Sequence, residues 1–390
     1  MTGTLSPLVA FIRPDTPAEQ ASGSDDERER LVTDFPTCAA DIDTAWLEQK
    51  LRAGGVIGDA RLTGLSFIPI GTGQVGDTAR FSLTWDRDGA GPATLAAKFP
   101  SSDATSRSTA GMFGLYRKEV CFYRELAPSI SVRTPRVYGT ELSEDGCNFV
   151  LLFEDLGPCR GGNQLEGCTL EEARLGIQQA AALHAPTFNA DWLDTAAWIQ
   201  PAEGLQDQMM ALYPQAQAVF RERYADTLEP ELMAVCEQLN DLSHLWFSRV
   251  PQQRSVTHGD FRLDNMLFDV AGGQDPIAVV DWQTTGAGCP LTDVGYFMGC
   301  GIGSAVRRPH EGELLDLYCA EMTRLGVPMS RDAIWDRYIV GALHGVSTAV
   351  FSAAFVVRTD RGDANFLSMA RNSCELCLDH GSIDALKRLA

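Results

Sequence analysis

The sequence predicts an α+β chain in two unequal parts, a small antiparallel sheet followed by a larger, mainly helical region. Three observations carry that expectation. Between Ser66 and Phe99 the apolar period is two, with Ala79, Phe81, Leu83 and Trp85 alternating with Arg80, Ser82 and Thr84. After Gly157 the pattern turns helical, and Thr169-Leu170-Glu171-Glu172 reads as a capping box that opens a helix. The chain has 390 residues, 45% hydrophobic and 22% charged, enough to bury the cores of two or three structural units.

The elements follow in order. Residues 1–38 are rich in Pro, Ser, Asp and Glu without a sustained apolar period, which predicts a flexible N-terminal extension. Asp43 is placed to cap a short helix that Gly54-Gly55 ends. The run Asp88-Gly89-Ala90-Gly91-Pro92 turns the strand ending at Trp85 back into Ala93 to Phe99, an antiparallel hairpin. A helix is expected from Thr109 to Leu126, then strands at Arg136-Val137-Tyr138 and from Asn148 to Phe153. These elements make 39–155 one unit and 156–390 the second. In the second, helices are expected through His184, over Leu232 to Phe247, Asp293 to Gly301, Glu311 to Leu325 and Ala333 to Val356. Strands at Met266 to Val270 and Ile277 to Val280 interrupt them.

Lys plus Arg total 32 against 52 Asp plus Glu, a formal charge of -20. Such a surface repels phosphate backbones and anionic lipid, so nucleic-acid and membrane-surface roles are disfavoured. The eleven cysteines are scattered without a disulfide framework, and no basic segment followed by an apolar one opens the chain; both point to the reducing cytoplasm. Ile339 to Val357 has the length of a membrane span, with Gly341 and Gly345 at GxxxG spacing. It also carries His344, Ser347, Thr348 and Ser352, which favours a buried helix. Cys374-Glu375-Leu376-Cys377 has no second pair at zinc spacing and reads as structural.

Three sets of residues point to chemistry. Gly71, Gly73 and Gly76 form G-x-G-x-x-G between two strand-like runs, where glycine lets backbone approach phosphates; the same glycines also fit an ordinary tight turn. Because Thr78 to Trp85 alternates as a strand, a dinucleotide-binding turn, which needs a helix there, is disfavoured. Lys98 lies in Leu95-Ala96-Ala97-Lys98-Phe99, on the strand face opposite Leu95, Ala97 and Phe99. Glu119 falls inside the apolar stripe of Met112, Leu115, Tyr116, Phe122, Tyr123 and Leu126. An ammonium and a carboxylate in such surroundings are natural partners. The third set is His258-Gly259-Asp260-Phe261-Arg262-Leu263-Asp264-Asn265, followed by Asp281-Trp282-Gln283 at a strand end. It offers a carboxylate to deprotonate a hydroxyl, a cation two residues on, and an amide with a second carboxylate to hold Mg2+ on nucleotide phosphates, the needs of phosphoryl transfer.

These motifs resemble the aminoglycoside phosphotransferase and choline kinase-like superfamily, which has a two-lobed protein-kinase-like fold. The resemblance extends from about Asp43 to the C-terminal helices. His258-Gly259-Asp260 to Asn265 is similar to its H-G-D-x-x-x-x-N motif, and Asp281-Trp282-Gln283 resembles the D-x-Q variant of ecdysteroid kinase-like and related bacterial members. The resemblance implies ATP and Mg2+ as cofactors. It implies Asp260 as catalytic base, Arg262 as a γ-phosphate contact, and Asn265 and Asp281 as metal ligands. Lys98 would meet the α- and β-phosphates with Glu119 as its partner, and Phe153-Glu154-Asp155-Leu156 would be the hinge that meets adenine. Asp293, and with it His258, would support the catalytic loop, near which His184 packs.

Only eleven residues separate Asp281 from Asp293, and no A-P-E sequence occurs, leaving little room for a peptide-binding activation segment; a small hydroxylated acceptor is expected. Trp192, Trp198, Tyr213, Tyr224, Trp246, Phe247, Tyr338, Phe351, Phe355 and Phe366 lie in the stretches expected to hold it. Glu311, Glu313, Asp316 and Glu321 recur at helical spacing and read as a solvated face. The expected acceptor is therefore neutral or apolar, such as a steroid-like, terpenoid or hydroxyacyl compound. The alternatives are an aminoglycoside or choline-like amino alcohol, and a catalytically silent nucleotide-binding protein.

Overall fold

The computed structural model describes residues 33–71, 75–355 and 358–389. Residues 1–32, most of the extension expected from the sequence, and Gly73 lie outside the described residues.

Helix α1 (Thr44–Ala53) starts where Asp43 accepts the Trp46 N–H at 2.7 Å. Five strands follow: β1 (Leu62–Pro69), β2 (Gly76–Trp85), β3 (Thr94–Pro100), β4 (Val137–Leu142) and β5 (Phe149–Glu154). They form one antiparallel sheet in the order β1-β2-β3-β5-β4. The β2–β3 register pairs Phe81 with Leu95 and Thr78 with Lys98. Alternation does what the sequence pattern requires. Phe81, Leu95, Ala97, Phe99, Val150 and Leu152 face a small core closed by Leu47 and Leu51 of α1, and Lys98 is turned to the other face. Phe35 also packs against this core, ahead of the boundary at 39 read from the sequence.

The helix expected at Thr109 to Leu126 is two helices, α2 (Ala104–Met112) and α3 (Leu115–Cys121), followed by a π turn over Phe122–Leu126. The break falls at Gly114, whose φ of 65° is left-handed and reserved for residues like glycine. Met112, assigned to the apolar stripe, is consequently 63% exposed just before the break. Leu115, Tyr116, Glu119 and Val120 turn inward.

The remainder is mainly helical around one large core that also takes in α3. The capping box forms as predicted: Thr169 accepts the Glu172 N–H, and Glu172 accepts the Thr169 N–H, opening α4 (Leu170–His184). Next come α5 (Leu205–Tyr224), α6 (Pro230–Asp241) and α7 (Ser243–Ser248). Further helices span Pro290–Tyr296, Ser304–Arg324, Arg331–Gly341, Leu343–Phe355, Asp360–His380 and Ser382–Leu389. Several depart from expectation. The stretch Leu232 to Phe247 is divided between α6 and α7, Asp293 to Gly301 continues its helix as a π turn over Phe297–Gly301, and Ala333 to Val356 divides at Ala342. Helix α5, which contains Pro214, was not expected, and the helix expected over Glu311 to Leu325 starts earlier, at Ser304, through Pro309; packing of Tyr213, Phe220, Leu314 and Tyr318 overrides the local penalty of proline.

Short strands carry the loops between helices. Strand β6 (Arg160–Gly161) pairs with β8 (Met266–Asp269), which pairs with β9 (Asp275–Val279); β7 (Ser255–Thr257) pairs with β10 (Gly286–Gly288). The stretch Arg331–Phe355 is long and apolar enough to cross a membrane, but 83% of its most apolar window is buried inside the protein. Cys374 and Cys377 are buried, as a structural reading requires. Glu311 is not on a solvated face: it is 7% exposed and bonded to Arg307, Tyr338 and His380. Glu313, Asp316 and Glu321 are ion-paired to Arg174, Arg331 and Arg324.

Candidate active site

A cleft of about 550 Å³ lies between the sheet and the helical part. Gly71, Gly76, Lys98 and Glu119 line it from the first part, Phe153 to Leu156 from the connection, and Arg262, Asn265 and Asp281 from the second. The structure thus gathers in one cleft residues separated by more than two hundred positions.

The Lys98 ammonium donates to Glu119 Oε1 and Oε2 at 2.8 and 2.7 Å and to Asp281 Oδ1 at 3.1 Å. Burial opposes that ammonium, but the carboxylates of Asp281 and Glu119 more than offset it and hold Lys98 above its ordinary pKa. Burial pushes the Glu119 carboxyl upward against the pull of Lys98. Phe122, one turn beyond Glu119, stacks on Trp282 with ring centres 3.8 Å apart, so the helix bearing Glu119 and the segment bearing Asp281 are in direct contact. Asp281 itself has a φ of 66°, an uncommon backbone state for a non-glycine residue, and Gln283 Nε2 donates to its Oδ2 at 3.3 Å.

The loop after β7 is held from three sides. Asp293 accepts the backbone N–H groups of His258 at 2.7 Å and Gly259 at 3.0 Å, and bonds His184 Nε2 at 3.2 Å. Burial works against this carboxylate, but the His184 bond and the positive potential around it hold its pKa below the usual value. The Asp260 N–H donates to His258 Nδ1, so His258 Nε2–H donates to the Val280 carbonyl at 3.1 Å and ties the loop to the segment entering Asp281. Gly259 has a φ of +79°, and a Cβ there would lie 2.5 Å from the Thr284 carbonyl oxygen. Only glycine fits.

Around Asp260, Oδ1 accepts from Arg262 Nε at 3.0 Å and Tyr296 OH at 3.1 Å, and Oδ2 accepts from Asn265 Nδ2 at 2.9 Å. Arg262 also donates to Asp264 Oδ2 at 2.6 Å and is 3% exposed, so its visible role is to brace two carboxylates. Asn265 Nδ2 is spent on Asp260, which leaves Oδ1 as the acceptor end of that amide. Among the described residues no group of three or more His, Cys, Asp or Glu side chains could enclose a cation. Mg2+ does not need one, since it takes one or two protein ligands and completes its shell with phosphate oxygens and water. Glu119, Asp260, Asp264 and Asp281 against Lys98 and Arg262 leave two carboxylates in excess, which suits a divalent cation beside Asn265 and Asp281.

In the connection between the two parts, Glu154 pairs with Arg133, and Asp155 pairs with Arg80 at 2.8 Å. The Leu156 carbonyl accepts the Ala271 N–H at 3.0 Å. Sequence reasoning missed Arg80, Tyr296 and His344, whose Nε2 bonds the Gly259 carbonyl at 2.9 Å. Tyr296 was within reach: it lies three residues after Asp293 on one helix, where side chains share a face. His344 reaches the loop only because of helix packing. Most of the aromatics expected in an acceptor pocket, including Tyr213, Tyr224, Trp246, Tyr338, Phe351 and Phe366, are instead buried core.

The family model described as the phosphotransferase enzyme family matches residues 77–325, most of the chain and the site residues from Lys98 to Tyr296. The protein belongs to that family. Its fold is shared with the choline kinase of Cryptosporidium parvum Iowa II, at 11% identity and a TM-score of 0.54 over 89% of this chain and 99% of that one. A choline/ethanolamine kinase family protein from Mesorhizobium loti is similar at 17% identity and a TM-score of 0.46, covering 89% of this chain and 98% of that one. The GDP complex of aminoglycoside 2'-phosphotransferase-IIIa gives 14% and 0.46, covering 86% and 98%. No curated protein sequence matches. This phosphotransferase-family chain therefore has the protein-kinase-like architecture, with a small antiparallel sheet and a larger helical part.

Proposed function

We infer that the protein transfers the γ-phosphate of Mg-ATP to a hydroxyl of a small organic acceptor. The observation that carries this reading is the convergence of Lys98–Glu119, Asn265 and Asp281 on one cleft, with Asp260 bonded directly behind Asn265. Asp260 takes the proton of the acceptor hydroxyl as its oxygen bonds to the γ-phosphorus and the bond to the ADP oxygen breaks. Arg262, Tyr296 and Asn265 orient that carboxylate. Lys98, fixed by Glu119, meets the α- and β-phosphates, and Gly71, Gly73 and Gly76 cover them. The hinge from Phe153 to Leu156 holds the base, with Asp155 steadied by Arg80. Asn265 and Asp281 would hold Mg2+, which neutralises charge on the phosphates. Residues 39–155 and 156–390 act as the two lobes, and the cytoplasm supplies ATP.

The D-x-Q sequence Asp281-Trp282-Gln283 supports a place near the ecdysteroid kinase-like members. A neutral or apolar acceptor is favoured over an aminoglycoside, because the carboxylates in excess at the loop are claimed by the divalent cation and Asp264 is already paired with Arg262. Retention of every charged group of the cleft disfavours a silent nucleotide binder. The test is a panel of alcohols, amino alcohols and aminoglycosides incubated with purified protein and Mg-ATP, with phosphorylated product read by mass spectrometry. Asp260→Asn should lower turnover on the accepted compound by about 10²–10⁴, with ATP affinity retained. Wild-type turnover in that variant refutes the assignment of the base.

A further inference from the structure

A second cavity, of about 460 Å³, lies behind the nucleotide cleft, between the turn Phe122–Leu126 and the loop after α4. Glu125, Leu126, Pro186, Thr187, Trp192 and Trp198 line it. Its polar groups are one-sided. Trp198 Nε1 donates to Glu125 Oε2 at 2.8 Å, and Ser129 Oγ donates to the Leu126 carbonyl at 2.8 Å. Thr187 Oγ1 spends its proton on backbone carbonyls of α4 while accepting the Val256 N–H. The Cys121 thiol also lies against the Glu125 carboxylate, whose charge no Lys or Arg among the described residues neutralises in an ion pair. The cavity thus combines a carboxylate oxygen with two indoles, one of them 36% exposed, and has three of its donors already committed. An anion finds little there to bind it, whereas an organic ammonium finds a countercharge and π faces.

The wall is shared with the first cleft. Tyr123 lines the nucleotide cleft, Glu125 and Leu126 line the cavity, and Phe122 between them and α3 stacks on Trp282 beside Asp281. This one turn is π-helical, a geometry concentrated at functional sites. We propose that the cavity is an effector site for a small organic ammonium compound, which acts on nucleotide binding through the turn Phe122–Leu126. The effect on nucleotide rests on the phosphotransferase reading above; occupancy of the cavity does not.

The probe is benzyltrimethylammonium, with benzyl alcohol as the neutral control, titrated into the full chain by calorimetry and tryptophan fluorescence. Saturable binding of the ammonium but not the alcohol is expected. Glu125→Gln should weaken it about tenfold, the size of one charge-assisted contact. Ala196→Phe, which fills the cavity, should remove it, while both variants keep the wild-type nucleotide affinity without probe. Saturating probe should change the nucleotide Kd at least twofold in the wild type and leave it unchanged in Glu125→Gln. Equal binding by wild type and Glu125→Gln overturns the site, as does binding lost in Asp260→Asn instead, which would place the probe in the acceptor region. Binding without any change in nucleotide Kd overturns the effector role. If nucleotide itself fails to bind, the function proposed above fails, and the probe titration still decides the cavity.

Discussion

Glu119→Gln isolates the ion pair at the centre of the cleft. The variant keeps the shape of the side chain and one acceptor oxygen but removes one of the two negative charges on Lys98. At 2.7 Å and an effective dielectric of about 20, that charge contributes roughly 6 kcal/mol of gross attraction. Much is returned, because Glu119 is 1% exposed and its own burial cost disappears with its charge. Asp281 Oδ1 also remains as a partner at 3.1 Å. The net loss should be about 2 kcal/mol of stability, below the roughly 3–5 kcal/mol of a buried pair broken outright. The larger effect expected is functional: Lys98 should relax toward Asp281 and compete for the oxygen that the proposed Mg2+ site would use. The KM for ATP should rise about 10–100-fold, with partial rescue by higher Mg2+. Because the folded pKa of Lys98 is raised, its stabilisation is complete below the unfolded value near pH 10 and is lost only above it, while the raised pKa of Glu119 costs the wild type stability as pH rises through it, so the Tm advantage of wild type over variant should not grow from pH 6 to 9. Initial rates against ATP at several Mg2+ concentrations, with thermal unfolding across that range, test the argument. An unchanged KM with an unchanged Tm would show that the pair holds nothing in place.

Other outcomes follow from the same contacts. Asp281→Ala should abolish Mg-dependent ATP binding, measured by calorimetry with and without EDTA; retained Mg dependence contradicts its assignment as a ligand. Gly259→Ala combines a left-handed φ with a Cβ 2.5 Å from the Thr284 carbonyl oxygen, so it should cost about 3 kcal/mol or more and lower Tm by several degrees. A Tm within one degree of wild type would refute that strain. The folded pKa of Asp293 is depressed, so its stabilisation is present above the unfolded value near 4 and lost as pH falls below it. Acid titration followed by circular dichroism should show this loss in the wild type and a smaller one in Asp293→Asn, which starts less stable; parallel curves would contradict it.

The features legible in the linear chain are those whose partners are close in sequence. The alternation that turns Lys98 away from Leu95, Ala97 and Phe99 is a property of any strand, and the caps at Asp43 and Thr169 act within one helical turn. The spacing from His258 to Asn265 likewise suffices to bring Asn265 onto Asp260, because both lie on one short loop. The rest depends on packing, wherever the partner is remote or the local signal points the wrong way. Pro214 and Pro309 weaken their helices locally, and burial of the surrounding apolar residues outweighs them. Gly114 breaks a helix that apolar periodicity would continue, since periodicity reports a face and not a backbone dihedral. Tyr213, Tyr224, Trp246 and Phe351 look alike in sequence whether they line a pocket or fill a core; only the packing of α5, α7 and the C-terminal helices assigns them to the core. His344 and Trp282 reach the loop that carries Asp260 through contacts across 85 and 24 positions, distances over which a linear pattern carries no orientation.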